Sequence, residues 1–306
     1  MATVQRRFEK FKLSCPVLFD QPLAEMTTFQ VGGPADILAR PRSVAELQEV
    51  LLAAGEAEIP TTVLGGGANI VVSDRGIRGL VVWLGDLNRI NLSEGGVVAG
   101  AGADISAVAA FAADHERSGL EFIYAMPGST GGAVWMNARC YGGEIAPLLD
   151  QVEYVDRSGA AGVYVPRAED FAYKVSPFQD GQRLITAVSF RLQPAPGCRE
   201  QMWAEMLAHE EDRRAKGHFT YPCAGSIFKN DRRFGQPSGR IIDELGLRGR
   251  QRGAARVSDQ HGNIIVNTGA ARAADIRELT LEIRDVVRER TGFELEPEVL
   301  FIGDWH

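Results

Sequence analysis

Leu64-Gly65-Gly66-Gly67-Ala68-Asn69 joins two segments that read as strands, and a second glycine-rich turn, Pro127-Gly128-Ser129-Thr130-Gly131-Gly132, follows much later in the chain. Successive glycines let backbone N–H groups approach an anion with no Cβ in the way. The first run is no Rossmann G-x-G-x-x-G, since position 70 is Ile, and no G-K-[ST] occurs anywhere, so a nucleotide held here needs another kind of fold. Taken singly, each run reads more readily as a tight turn. As a pair they suit a dinucleotide, and Ala133-Val134-Trp135-Met136-Asn137 after the second is small and apolar enough to pack against a flat ring.

The flanking pattern is mixed α and β. Ser43 with Glu46 forms a capping box, Leu47, Val50, Leu51 and Ala54 make one helical face, and Gly55 is the expected left-handed terminus. Strands are expected at 61–64, 70–73 and 80–84, and a helix from Asp104 to Glu116 with Ile105, Val108, Phe111 and Ala112 inward. Further strands are expected at 152–156 and 163–166 around a Ser158-Gly159 turn, and at 184–192. Pro194, Pro196 and Gly197 read as a linker. Beyond it come a polar helix over 199–216, a strand over 226–228, a helix opened by Ser238 and closed near Gly246, and strands over 255–258 and 264–267. A last helix carries Ile276, Leu279, Ile283, Val286 and Val287, with Gly292 as its stop.

A net charge of -7 on 306 residues argues against general nucleic-acid binding, which needs a basic face. Cys15, Cys140, Cys198 and Cys223 form no C-x-x-C pair, so neither a zinc ribbon nor a disulfide scaffold is indicated, and no metal is expected. Arg6-Arg7 before Phe8 has the look of a twin-arginine signal, but Pro16, Asp20 and Pro22 interrupt the apolar stretch export requires. No apolar run is long enough to span a bilayer, so a cytoplasmic protein with no membrane or nucleic-acid partner is expected.

Six ordered segments resemble the UDP-N-acetylenolpyruvoylglucosamine reductases, the MurB family. They are residues 27–36 (TTFQVGGPAD), 64–69, 127–137, 222–230 (PCAGSIFKN), 264–269 (IIVNTG) and 295–299 (LEPEV). The resemblance implies an α+β protein: a two-subdomain FAD-binding fold of the vanillyl-alcohol-oxidase/PCMH type, then a separate α+β substrate-binding domain. The divisions implied are 10–85, 86–197 and 198–306, in the family's shorter subclass. Also implied are non-covalent FAD, NADPH as reductant, UDP-N-acetylglucosamine enolpyruvate as substrate, and a monomer. Covalent flavin attachment through histidine in the first subdomain is not expected, because no histidine precedes His115.

Carried over position by position, Gly65, Gly66, Gly67, Ala68, Asn69, Gly128, Ser129, Thr130, Gly131, Gly132 and Asn137 are implied cofactor contacts. Tyr173, Lys216 and Asn230 are implied substrate contacts. Ser226 matches the family's proton donor and Glu298 its catalytic glutamate. Lys174 stands where the family usually has the arginine that grips the substrate carboxylate, and an ammonium grips with freer geometry than a guanidinium. A serine hydroxyl is a poor acid unless its alkoxide is stabilised, which nominates Lys229 or a bound water as helper. The sequence also departs from the family at Arg139-Cys140 and at Gly217-His218. Arg248, Arg250 and Arg252 read as a solvated run, with phosphate contact as the alternative. Two other readings stay open: a catalytically impaired paralogue, motivated by Lys174, and another flavin oxidoreductase on the same fold.

Overall fold

The computed structural model describes residues 2–306. Contacts divide the chain into two compact units, one of residues 1–20, 36–66 and 79–211, the other of 21–35, 67–78 and 212–306. The division falls at Glu211/Asp212, inside the helix Arg199–Ala215 rather than at the proline-rich segment, and it draws 21–35 and 67–78 in with the C-terminal part.

In the first unit, the helix Val44–Glu56 starts as its sequence dictates: Ser43 Oγ accepts from the Glu46 N–H (3.2 Å) and the Glu46 carboxylate accepts from the Arg42 N–H (2.7 Å). Leu47, Val50, Leu51, Ala53 and Ala54 are its buried face. Its end differs from expectation. The helix runs through Gly55, and Glu58 is the left-handed residue (φ 51°), with Ile59 N–H donating to Ala54 O and Glu58 N–H to Gly55 O. That is the paired-bond terminus usually built on glycine, here set by the burial of Ile59 beyond it.

A four-stranded sheet orders Val17–Pro22, Pro34–Ala39, Ile77–Trp83 and Thr61–Leu64, the last two parallel. A five-stranded antiparallel sheet orders Ala161–Tyr164, Leu149–Asp156, Arg183–Arg191, Gly96–Gly100 and Ile90–Ser93. The helix Ile105–Asp114, capped by Asp104 on the Ala107 N–H (2.9 Å), buries Ile105, Val108, Ala109, Ala112 and Ala113 in the same core, whereas Phe111 is only half-buried.

The second unit has its own core, from Phe29, Val31 and Val71 through Phe228 to Ile276, Leu279, Ile283 and Val287. Its antiparallel sheet orders Cys223–Ser226, Ile264–Asn267, Ala255–Val257 and Gln251–Arg252. The expected strand over 226–228 therefore starts three residues earlier and ends at Ser226; Phe228 makes only a single bridge, to Pro297. Ile70–Val72, one of the expected strands, pairs in parallel with Leu300–Ile302. Pro237, not Ser238, occupies the N-cap of Ser238–Glu244, and the Ser238 hydroxyl donates to the Lys229 carbonyl (2.6 Å).

The helix Ala273–Thr291 ends at Gly292 (φ 75°), as its sequence predicts. Its start is served from a distance, because Asp74 accepts from the N–H groups of Ala273 (2.8 Å) and Ala274 (2.9 Å). Asp74→Ala is expected to cost about 1–2 kcal/mol, in the range of a lost helix cap, read as a lower urea midpoint at unchanged m-value.

Candidate active site

In the first unit Gly65 and Gly66 of the first glycine run lie against the second run. Ser129 Oγ accepts from Gly66 N–H (3.1 Å) and from Gly132 N–H (3.3 Å), the second bond capping the short helix Thr130–Trp135. A Cβ on Gly66 would sit 2.7 Å from Ser129 N and 2.8 Å from Gly128 Cα, so only glycine lets these two backbones approach. Thr130 and Gly131 spend their N–H groups on the carbonyls of Ala103 and Ala101 (both 2.8 Å), which anchors the second turn.

Asn137 is buried (1% exposed) and left-handed (φ 42°). It donates its amide hydrogens to Glu144 Oε1 (2.7 Å) and the Ala172 carbonyl (2.8 Å). Both partners accept only, which fixes the amide orientation. Asn137 Oδ1, buried, has no hydrogen-bond partner among the described residues. An orphaned buried acceptor costs about 1–3 kcal/mol, so Asn137 Oδ1 is free to take a donor from outside the chain, and an N–H of a heteroaromatic ring fits that need. Beside it, Arg139 approaches Glu144 at 3.9 Å and Cys140 Sγ lies 3.0 Å from the Phe122 carbonyl.

Tyr173 and Lys174 form the corner of a tight turn closed by reciprocal Ala172 and Val175 backbone bonds (3.1 and 3.0 Å). Lys174 holds φ 61°, and its ammonium lies 5.9 Å from the Tyr173 ring centre.

In the second unit, Gly67 is left-handed (φ 63°) and its carbonyl accepts from Thr28 N–H (3.1 Å). Asn69 donates its side-chain amide to the Glu298 carbonyl (3.0 Å), while Leu300 N–H returns a bond to the Asn69 carbonyl (3.0 Å). Glu298 N–H in turn donates to Ile227 O (2.7 Å), so the backbone places half-buried Glu298 beside the strand end that carries Ser226.

Ser226 and Asn230 line a cavity of about 290 Å³ with Pro237, Gly239, Arg240, Asp243, His261 and Asn263. Asn263 clamps the Ser226 segment through its carbonyl to Ile227 N–H (2.9 Å) and its side chain to both backbone groups of Phe228 (2.9 and 2.8 Å). Asn230 Oδ1 accepts from Ser238 N–H (2.9 Å), so its amide hydrogens face the other way. His261 Nδ1 accepts from Asn263 N–H (3.1 Å), which puts the proton of the neutral ring on Nε2, and burial chiefly pushes the ring's pKa down. His261 and Asn263 went unnamed in the sequence, although they stand immediately before the 264–269 segment.

The Lys229 ammonium pairs with Glu296 Oε1 at 2.5 Å. Lys216 is exposed and pairs with Asp212 one helical turn earlier (2.5 Å). Arg248, Arg250 and Arg252 pair with Asp243, Glu282 and Glu278. Among the described residues no group of three His, Cys, Asp or Glu side chains is arranged to hold a metal.

His218 is pushed down to about 4, first by burial and then by the cations Arg213 and Lys216 and by His261. An unfolded histidine titrates near 6.5, so the unfolded chain takes this proton between those values while the folded one does not. Stability is then full above about pH 6.5 and falls as pH drops towards 4, by at most roughly 3 kcal/mol. Urea titrations at pH 7 and pH 4.5 should show a smaller acid loss for His218→Gln than for the unaltered protein.

Residues 35–162 match the family model described as "FAD binding domain", and residues 217–302 match "UDP-N-acetylenolpyruvoylglucosamine reductase, C-terminal domain". The UDP-N-acetylenolpyruvoylglucosamine reductase of Treponema denticola is 39% identical over 304 residues, covering 94% of each chain. That of Borreliella burgdorferi is 39% identical over 282 residues, covering 92% of this chain and 93% of its own. The crystal structure of UDP-N-acetylenolpyruvylglucosamine reductase (MurB) from Thermus caldophilus superposes with a TM-score of 0.79 at 34% identity, over 95% of this chain and all of that one. The fold is accordingly an FAD-binding domain of the vanillyl-alcohol-oxidase/PCMH type with a MurB C-terminal domain. With the two glycine turns, the orphaned Asn137 acceptor and the Ser226 cavity, these matches make the chain a member of the UDP-N-acetylenolpyruvoylglucosamine reductase family, an FAD-binding oxidoreductase.

Proposed function

We propose that the chain uses NADPH to reduce UDP-N-acetylglucosamine enolpyruvate to UDP-N-acetylmuramate, as a cytoplasmic monomer supplying peptidoglycan precursor. The observation that carries the reading is the cavity on which Ser226 and Asn230 converge, with Glu298 tied by its own N–H to the residue after Ser226. Bound FAD supplies hydride transfer; the protein supplies binding, orientation and proton delivery.

Residues 65–69, 128–132 and Asn137 would hold the flavin, the Asn137 Oδ1 taking a ring N–H. Ser226 delivers its hydroxyl proton to the inner carbon of the enolpyruvyl group. Lys174 meets the substrate carboxylate, where negative charge develops, and Glu298 stabilises the enol form. Tyr173, Lys216 and Asn230 hold the remainder of the substrate. The domains 10–85, 86–197 and 198–306 belong to the same proposal, supported by one sheet drawn from residues 17–83 and a second from 90–191.

The test is NADPH oxidation by the purified yellow protein under low oxygen, with and without the enolpyruvyl substrate. Oxidation that depends on substrate is the expected result. Flavin reduction without substrate turnover would instead support the impaired paralogue.

A further inference from the structure

The turn that carries Lys174 is held from one side by side chains outside the assigned site. Gln179 donates one amide hydrogen to the Lys174 carbonyl and the other to the Trp135 carbonyl (both 2.9 Å). Both partners are pure acceptors, so the amide has one orientation. Ser176, buried, donates its hydroxyl to the same Trp135 carbonyl (2.7 Å). Asn137 holds the Ala172 carbonyl at the opposite end of the turn. Lys174 sits at the position of a tight turn that demands φ above zero and ordinarily takes glycine or asparagine. A lysine persists there only if its surroundings over-determine the conformation, and the bonds to Trp135, the last residue of the helix Thr130–Trp135, do so.

We propose that Gln179 is a positioning residue: by bridging the carbonyls of Lys174 and Trp135 it locks the left-handed turn, so that the Lys174 ammonium meets the substrate carboxylate from a fixed backbone. The proposal rests on the reading of Lys174 as the carboxylate-facing cation. It explains how a lysine serves where a forked guanidinium would orient itself: the backbone provides the orientation that the head group lacks. Ser176 acts with Gln179 by holding the turn to the same carbonyl.

Gln179→Met removes both donors while keeping length and bulk. In the holoenzyme it is expected to raise KM for the enolpyruvyl substrate roughly 10- to 100-fold, the scale of a misplaced binding group. Flavin content and the rate of flavin reduction by NADPH should match the unaltered protein. Repeated in a Lys174→Ala background, Gln179→Met should change KM by less than about twofold, because the residue it positions is gone. An equal loss in both backgrounds, or no loss in the first, overturns the positioning role while leaving Lys174 in place. If Lys174→Ala alone alters neither KM nor kcat, the reading of Lys174 itself has failed, which is a separate result. Should Gln179→Met fold poorly, Gln179→Asn keeps the amide on a shorter stem, and the same dependence on Lys174 decides.

Discussion

Ser226→Ala is expected to lower kcat for the enolpyruvyl substrate by roughly 10²- to 10⁴-fold, the usual contribution of a positioned general acid, with little change in KM. Reduction of the flavin by NADPH should be unaffected, because that half of the reaction needs no proton at the substrate carbon. The cavity makes the split meaningful. Ser226 lies at the end of the strand Cys223–Ser226, and Asn263 bonds the next two residues, so removing one oxygen leaves the backbone where it was. Asn230, whose Oδ1 accepts from Ser238 N–H, and His261, whose Nδ1 accepts from Asn263 N–H, line the same cavity as Ser226. A Ser226→Ala protein that turns over at the unaltered rate would remove Ser226 from the chemistry, and Glu298 would become the next donor to test.

Gly66→Ala should yield a protein with little bound flavin, destabilised by about 2–3 kcal/mol, at the upper end of overpacking costs. The added methyl would press on the backbone of Gly128 and Ser129 at 2.7 to 2.9 Å, and no side-chain rotation relieves that. It would also break the Gly66 to Ser129 bond that sets the two turns together. Gly55→Ala is the matched control. That position lies inside a helix with nothing within 4 Å of the new Cβ, so stability should rise by about 0.5–1 kcal/mol with flavin unchanged. Flavin absorbance per mole of protein and urea midpoints measure both. If the two glycines respond alike, the close approach of the turns carries no special cost.

The contrast between these glycines also shows what the sequence revealed. Gly55 and Gly292 carry the same helix-stop signal, yet only Gly292 stops its helix; what ends the other is a buried Ile59 three residues beyond the helix end, which permits Glu58 to turn left-handed. Local chemistry was readable where both partners are close in the chain, as in Ser43 with Glu46 or Asp104 with Ala107. It was unreadable where the partner is remote. Nothing near residue 273 announces that Asp74 caps that helix, and nothing near Ile70 announces a strand at 300. The candidate site follows the same rule. Ser226, Asn230, Asn137 and the glycine turns came from motifs, whereas His261 and Asn263 lie outside the quoted segments and gain meaning only from the strand register that brings Ile264 opposite Ser226. The pairing of Lys229 with Glu296 is of the same kind, since nothing near residue 229 announces a carboxylate at 296.

The parallel pairing of Ile70–Val72 with Leu300–Ile302 bears on how the chain is made. Asn69 and Glu298, bonded to each other, are 229 residues apart, and such non-local closure is slow. On the ribosome, Phe29, Val31 and Val71 emerge early but belong to a core whose other members come after residue 222. Until then these three apolar residues have only each other within that core, although the remainder of the N-terminal half can already collapse. The core of the second unit therefore closes only after the segments from Cys223 onward have been made, and until then its early apolar segments wait for most of their partners.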